Sequence, residues 1–359
     1  MSEKVLITSA LPYVNGVPHL GHLVGCLLPS DIFARYNRLI GKKVLCIGGA
    51  DEYGSPSEIA ALKEGIDVRT YVDKYFNIHK ETSEKFNLSF DKFGRTSTLE
   101  HTEIVQKVYL ELKENGFIEQ KETEQIYSVD DDMFLADRYV EGVCPKCGYE
   151  KARGDQCDKC GVILDPVDLI NPYSVISGSH NLEIRKTLHA FLKLKDMQGL
   201  VENWIKSRKG WSKVALSIAN AWLKEGLQDR GITRDNKWGV PVPDMEGKVF
   251  YVWFDAPWGY VSISQEWAKE NNTSWEEFWF GDDVKYYQFM GKDNVPFHSV
   301  FFPAEQLGTK ENWKTVDVLK GINFLNFGDG KFSKSLGNGF SGLDAINLYM
   351  ADYWRYWLM

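Results

Sequence analysis

The sequence holds no run of apolar residues close to the roughly 20 needed to cross a bilayer. Its start, MSEKVLITSA, lacks the charged-then-apolar layout of a signal peptide, and a strand pattern opens almost at once. Both absences point to a cytosolic protein with no membrane partner. Positive charge is not in excess: 42 Lys and Arg stand against 50 Asp and Glu, a formal net charge of −8. Bulk attraction to nucleic acid is thereby excluded, and contact with a polyanion has to be local, through clustered Lys and Arg. There is no internal repeat and no low-complexity tract. Cysteine is sparse, six in all. Cys26 and Cys46 stand alone in apolar surroundings and read as small buried hydrophobes.

What is present is enough for a large core: 359 residues, 43% of them hydrophobic. That length suits two domains, or one large α/β domain carrying an insertion. Lys4 to Ala10 (KVLITSA) reads as a buried strand, and apolar residues at helical spacing run from about Leu23 to Leu39. KVLCIGGADEYG is a second strand ending in a Gly-rich, acidic segment. SPSEIAALKEGI follows as a helix, with Ser55 or Ser57 as cap and Gly65 as stop. Another helix spans about His101 to Gly116. Residues 118–175 are rich in charge, Gly and Cys, with short strand-like pieces, and helical patterns return from about Asn181 to Gly226. GKVFYVWFDAPWGY (Gly247 to Tyr260) reads as a strand running into a Pro/Gly turn. Lys285 to Gly308 reads as strand, Gly/Asp loop and helix, and Val316 to Ser335 as a strand and a basic loop.

Strand–helix alternation of this kind implies an α/β fold, a doubly wound parallel sheet of Rossmann type. Its halves are expected at 1–117 and 235–325, split by an insertion at 118–234 with a cysteine knuckle at about 140–165. Residues 326–359 would hold the basic loop and the start of a helical region. Ligands of such sheets bind beyond the carboxyl ends of the strands, near the crossover, and each unusual loop here follows a strand end.

Residues 11–22, LPYVNGVPHLGH, are too elaborate for a plain turn. Gly21 permits close approach of a ligand to the backbone, the helix start beyond it suits phosphate, and His19 and His22 can donate to phosphate oxygens. Alone, the pattern fits two ordinary loop histidines as well. GDGKFSKSLGNG sets Lys331 and Lys334, with Ser333 and Ser335, between glycines. It fits a mobile loop for a departing polyphosphate, or a solvated basic loop. CPKCGYEKARGDQCDKC places Cys144, Cys147, Cys157 and Cys160 as two Cys-x2-Cys pairs nine residues apart. Four thiolates at that spacing satisfy tetrahedral zinc, and a reducing cytosol disfavours the disulfide alternative. A closed four-sulfur site leaves no open position for chemistry.

Taken together, HxGH near the N-terminus and KxSKS after the last strand of a split sheet resemble the paired signatures of class I aminoacyl-tRNA synthetases. Among these the chain is most similar to the methionyl-tRNA synthetases. SALPYVNGVPHLGH, GADEYG, ITRD, YVWFDAP, GKDNVPFH and GKFSKS follow that family in order and spacing, over about residues 4–340. The resemblance implies that methionine and ATP, with Mg2+, give methionyl-adenylate and pyrophosphate, and that methionine then passes to tRNA. His19, His22, Lys331 and Lys334 would be catalytic. Gly21, Gly291, Asp293, Phe332 and Ser333 would bind ATP. Ala10, Leu11, Tyr13, Trp253, Ala256, Pro257, Tyr260 and His298 match the family's methionine pocket, and Asp51 matches the carboxylate for its ammonium. Core packing is the alternative for Trp253 and Tyr260. For Asp51 the alternative is a solvated loop carboxylate, a role that Glu52 would fit better. Arg234 either faces the active site or pairs with a carboxylate.

In the family the knuckle lies near the acceptor end of tRNA. Here Lys146, Lys151, Arg153 and Lys159 decorate it, as an RNA contact or as plain solvated surface. Two departures stand out. Phe332 occupies a position where methionine is commonest. The chain also ends at Met359, where the family continues into an anticodon-binding region, so it is expected to be either cut short or naturally minimal. Two other functions stay in view: a methionine-activating core that charges tRNA poorly, and a non-catalytic RNA-binding relative.

Overall fold

Strand β1 (Lys4–Ser9) is buried from Val5 onward, as a strand covered on both faces must be. It pairs in parallel with β2 (Lys43–Ala50) on one side and with β4 (Val284–Gly291) on the other. With β3 (Lys92–Arg95) and β5 (Val318–Ile322) at the edges, the sheet has five parallel strands in the order β5-β4-β1-β2-β3. Here, as throughout, the protein is a computed structural model that describes residues 3–154, 157, 159, 160, 162, 164–328, 330, 331 and 339–359. No described helix is long and apolar enough to cross a membrane.

The doubly wound arrangement is the one expected, with differences that have local causes. The first helix starts at Leu20 rather than Leu23. It runs through Leu20–His22, a π-type stretch at Leu23–Leu27, and Leu28–Leu39. Strand β3 was not foreseen, because its four residues KFGR carry too little periodicity. Gly54, not Ser55 or Ser57, caps the helix Ser55–Glu64, with Pro56 in its first turn, while Gly65 ends it in the left-handed conformation as expected.

The segment GKVFYVWFDAPWGY is mostly helical. Only Val249–Phe250 is strand, followed by Val252–Asp255, a 3-10 turn at Ala256–Trp258 and the helix Gly259–Glu270. An apolar run buried on all sides carries no period that separates strand from helix. Close packing explains where the last helix lies: a Cβ at Gly94 would meet Ile263 at 2.6 Å.

The insertion departs furthest from expectation. Leu182–Leu192, inside the stretch expected to be helical, is an eleven-residue strand, antiparallel to Ile118–Ser128 along its whole length. Cross-strand partners decide such a segment more than its own propensity does. The helices Leu194–Ser207 and Lys213–Glu225 follow as expected. Between the two long strands lies a three-stranded sheet, Val140–Val143 with Ala152–Arg153 and Ile170–Ser174. It carries the cysteines and has its own small core around Leu135, Tyr139, Val140 and Leu169.

Candidate active site

Chain order in the sheet reverses at β1, between β2 and β4, so the ligand crevice of a doubly wound sheet is expected beyond the carboxyl ends of β1 and β4. A cleft of about 1000 Å³ opens there. Ala10, Leu11, Tyr13, His19, Gly21 and His22 line it from the loop after β1, Trp253 from the segment before the helix Gly259–Glu270, and Gly291 and Asp293 from the loop after β4. Segments nearly three hundred residues apart are thus brought together as the sequence led one to expect.

His19 caps the first helix in extended conformation, and its backbone N–H donates to Nδ1 of His22 at 3.1 Å. The ring centroids of His19 and His22 are 3.9 Å apart. An Nδ1 that accepts leaves the neutral imidazole proton of His22 on Nε2. Gly25, one turn further along, also lines the cleft, and a Cβ there would meet nothing within 4 Å. Gly291 has a more local purpose than ligand approach alone: a Cβ there would stand 2.8 Å from a carboxylate oxygen of Asp293.

The residues expected to hold an amino acid divide into two groups. Ala10, Leu11, Tyr13 and Trp253 face the open cleft. Asp51, Ala256, Pro257, Tyr260 and His298 are buried and do not line it. Asp51 is joined to the first loop through the backbone: the Val14 N–H donates to its carbonyl at 3.0 Å, and its own N–H donates to Pro12 O at 3.0 Å. Asp51 is only 2% exposed, so it is not a solvated loop carboxylate. Its Oδ1 is buried with no hydrogen-bond partner among the described residues. Burial first, then the charges of Asp255 and Glu52, push its carboxyl well above the ordinary range. A cation beside it would reverse that penalty. Glu52, named as the better solvated carboxylate, is also fully buried, and it takes Arg95 Nε at 2.8 Å.

Trp253 lies flat on Phe297, with centroids 3.7 Å apart and planes 5° off parallel. His298, next in the chain, bonds Asn294 O through Nδ1 at 2.9 Å and Tyr260 OH through Nε2 at 2.8 Å. A carbonyl can only accept, so Nδ1 carries the proton and Nε2 accepts from the phenol. Burial holds the His298 imidazole down to about 4. His101, fully buried against Asp255 and Ser262, is held down to about 3 by burial. Both rings are therefore expected to stay neutral at pH 5.5, where a histidine of ordinary pKa, about 6.5, is mostly charged. Imidazole titration by NMR checks this, and a cationic His298 at that pH would contradict the packing described.

Of the second signature, Phe332, Ser333 and Lys334 lie outside the described residues. The Lys331 backbone is described, paired with Asn326 in a two-residue hairpin strand. Past the signature, the chain returns to the first: Ser341 bridges His19, Leu20 N donates to Phe340 O at 3.4 Å, and Gly342 N donates to Pro18 O at 2.7 Å. Lys334 stands seven positions before Ser341, a span of at most about 25 Å.

The four clustered cysteines converge. Their sulfurs all lie within 4.8 Å of one another, with Cys144–Cys160 at 3.9 Å and Cys147–Cys157 at 3.6 Å. Those separations are far too long for disulfides at about 2.05 Å. They match the edge of about 3.8 Å of a sulfur tetrahedron around zinc at about 2.3 Å. Cys26 and Cys46 are buried, as read from sequence, and burial pushes Cys26 up to about 12.

Among the basic residues of the knuckle, Lys146 and Arg153 line the cleft, and Lys151 and Lys159 do not. Arg234 pairs with a carboxylate of the insertion, bonding both oxygens of Asp137 at 2.9 and 3.1 Å. Sequence reasoning missed Phe297, Trp222, Arg230 and Phe324 as lining residues. Phe297 was within reach, beside His298 in a quoted motif, but nothing in residue spacing pointed to the other three.

A family model described as "tRNA synthetases class I (M)" matches residues 5–359. The chain is 51% identical over 370 residues to a methionine–tRNA ligase of Hyphomonas neptunium, which takes in 99% of this chain and 64% of that protein. Over 366 residues it is 51% identical to the methionine–tRNA ligase of Maricaulis maris, with the same shares covered. The chain thus spans about 64% of the length of the curated relatives it matches. In fold it resembles a Mycobacterium tuberculosis methionyl-tRNA synthetase solved in complex with methionyl-adenylate. That likeness has a TM-score of 0.76 at 23% identity, and it covers 100% of this chain and 64% of the other. With the split parallel sheet, the two-loop cleft and a family match over nearly its whole length, the chain belongs to the class I tRNA synthetases of the M group.

Proposed function

We propose that this chain activates methionine with ATP, releasing pyrophosphate, and transfers the methionyl group to tRNA. One observation carries the reading most: His19, at the head of the first signature, is bridged through its backbone to Ser341, just beyond the second. That contact sets a residue that follows the second signature beside the first, which supports a site where both act on a single triphosphate.

In this reading the methionine carboxylate oxygen attacks the α-phosphorus in line, and the bond to the bridging oxygen of pyrophosphate breaks. No covalent enzyme intermediate is involved, so positioning and charge stabilisation do the work. The Nε2–H of His22 donates to charge that develops at the α-phosphate. Lys331 and Lys334 neutralise the departing pyrophosphate together with the Mg2+ that accompanies ATP. Asp293 accepts from ribose hydroxyls, with Gly21, Gly291, Phe332 and Ser333 alongside the nucleotide. Asp51 holds the substrate ammonium, and its unpartnered buried oxygen supports that role. Tyr13 and Trp253 pack on the thioether at about 0.3–1.5 kcal/mol per contact, with Ala10, Leu11, Ala256, Pro257, Tyr260 and His298 shaping the slot. Domain limits follow the sequence reading: 1–117 and 235–325 for the catalytic halves, 118–234 for the insertion, and 326–359 for the remainder.

Pyrophosphate exchange across a panel of amino acids tests activation. Exchange with methionine and little with leucine or isoleucine is the expected result, and none with any amino acid would end the reading. Charging of tRNA, measured beside it, tests the transfer step separately.

Zinc in the four-thiolate cluster serves the fold of the insertion, because four ligands leave it no open position. Cys157→Ser is expected to lose the bound equivalent of zinc and to loosen the small core around Tyr139. Metal analysis and limited proteolysis read both, and unchanged zinc content would count against the assignment.

A further inference from the structure

The segment from Phe340 to Trp357 touches the first helix at two places. At the helix start, the Phe340 carbonyl, Ser341 and the Gly342 N–H pair with Leu20, His19 and Pro18. The fit is close, since a Cβ at Gly342 would meet Thr82 at 2.7 Å and the Pro18 carbonyl at 3.3 Å. Ser341 caps the helix Gly342–Leu348, and Trp354 of the helix Ala351–Trp357 donates to Ala345 O at 2.7 Å, tying the two helices to each other. The second contact is ionic. Arg355 Nη2 meets Asp31 at 2.5 Å, and Nη1 donates to the Phe86 carbonyl at 3.0 Å. Asp31 lies eleven residues beyond Leu20 on the same helical run, past the π-type stretch at Leu23–Leu27.

This ion pair is unlike an exposed one, which is worth little. The Asp31 side chain is fully buried and that of Arg355 is 14% exposed. Asp31 also accepts from the Ser89 N–H and hydroxyl at 2.6 Å each, and from Arg35 Nε at 3.0 Å. Those bonds stay when Arg355 is removed, so the carboxylate keeps its partners and the core is spared. What is lost is the far end of the clamp.

We infer that Arg355 is a positioning residue for the activation step: seated on Asp31, it holds the Phe340–Gly342 segment against Pro18–Leu20 and thereby fixes His19 and His22 in the cleft. The inference rests on the proposed activity, because its kinetic consequence is read in exchange. The helices Gly342–Leu348 and Ala351–Trp357, tied together by the Trp354 bond to Ala345, link the two contacts, so freeing Arg355 lets Phe340–Gly342 lift from the turn that sets the His19–His22 hydrogen bond. Methionine binding, built on Asp51, Trp253 and their neighbours, does not depend on that turn.

Arg355→Ala is expected to lower kcat for methionine-dependent pyrophosphate exchange by about tenfold or more, with the methionine KM within about twofold of wild type. Arg355→Lys, which keeps one charged donor for Asp31, is expected to recover most of the loss. Amide hydrogen exchange reads the clamp with no activity at all: in Arg355→Ala the Leu20 and Gly342 amides should exchange about tenfold faster while those of Val5 and Leu6 do not change. Unchanged Leu20 and Gly342 amides would overturn the inference, as would kcat, methionine affinity and thermal stability falling together. A wild-type protein without exchange activity would instead end the functional reading, leaving the clamp to be judged by the amides.

Discussion

Asp51→Asn is expected to raise the methionine KM by about 10²- to 10³-fold while the ATP KM stays within about twofold. The substitution keeps the shape and removes the charge. A buried oxygen with no partner among the described residues, on a side chain 2% exposed, can be compensated by few ligand groups other than a cation. Removing one member of such a buried pair costs about 3–5 kcal/mol, because the remaining charge is left without its counterion. The same geometry sets a pH dependence. Burial holds the empty Asp51 carboxyl above its ordinary range, so as the pH falls through that raised value the carboxylate takes up a proton and no longer offers charge to an ammonium. Methionine affinity should therefore fall on acidification in the wild type and stay flat in Asp51→Asn. Calorimetric titration with methionine at several pH values checks both statements, and parallel profiles would place the ammonium elsewhere.

Substitution of His22 by alanine is the second large effect, and it should appear in kcat. A donor that meets charge only as it develops contributes about 2.7–4 kcal/mol, roughly 10²- to 10³-fold in rate. The methionine KM should hold, because in the proposed reading the ammonium is held by Asp51, which is buried and does not line the cleft where His22 stands. His22→Ala also deprives the His19 N–H of its acceptor, which could disturb the helix start by itself. His22→Gln separates the two causes. Its amide can accept from that N–H and donate outward, so it should retain more activity than alanine at similar thermal stability. Equal losses in kcat and in methionine affinity would contradict a role confined to the transition state. Lys334→Ala is expected to share the kcat-only signature, since in the proposed reaction both groups meet charge that develops only in the transition state.

Chemistry was more legible in the sequence than architecture was. His19, His22, Gly291, Asp293 and the four cysteines stand in short local patterns, and the structure lines one cleft with the first four and brings the cysteine sulfurs within 4.8 Å of one another. The sheet was visible because its strands β1, β2 and β4 are apolar runs ended by glycine-rich loops. The same signal failed at Val249 to Tyr260. There the chain is buried on every side, and an apolar run alone does not distinguish a strand from a short helix followed by a 3-10 turn. It failed again at Leu182–Leu192, whose strand exists because Ile118–Ser128 lies beside it.

The sequence by itself determined that the sheet is parallel and split and that four cysteines converge, because residue type and spacing record local demands. Only the tertiary structure decided which carboxylates are starved of partners. Asp51, Glu52 and Asp255 are all buried acids within a few residues of a motif, and each keeps one oxygen without a partner among the described residues, yet the other oxygen of Glu52 meets Arg95 and that of Asp255 meets His101, whereas the charges that act on Asp51 are those same two carboxylates. The structure also decided that the end of the chain lies along the helix of the first signature. Contacts such as Arg355 with Asp31 join residues more than three hundred positions apart, and no local pattern encodes a distance of that kind.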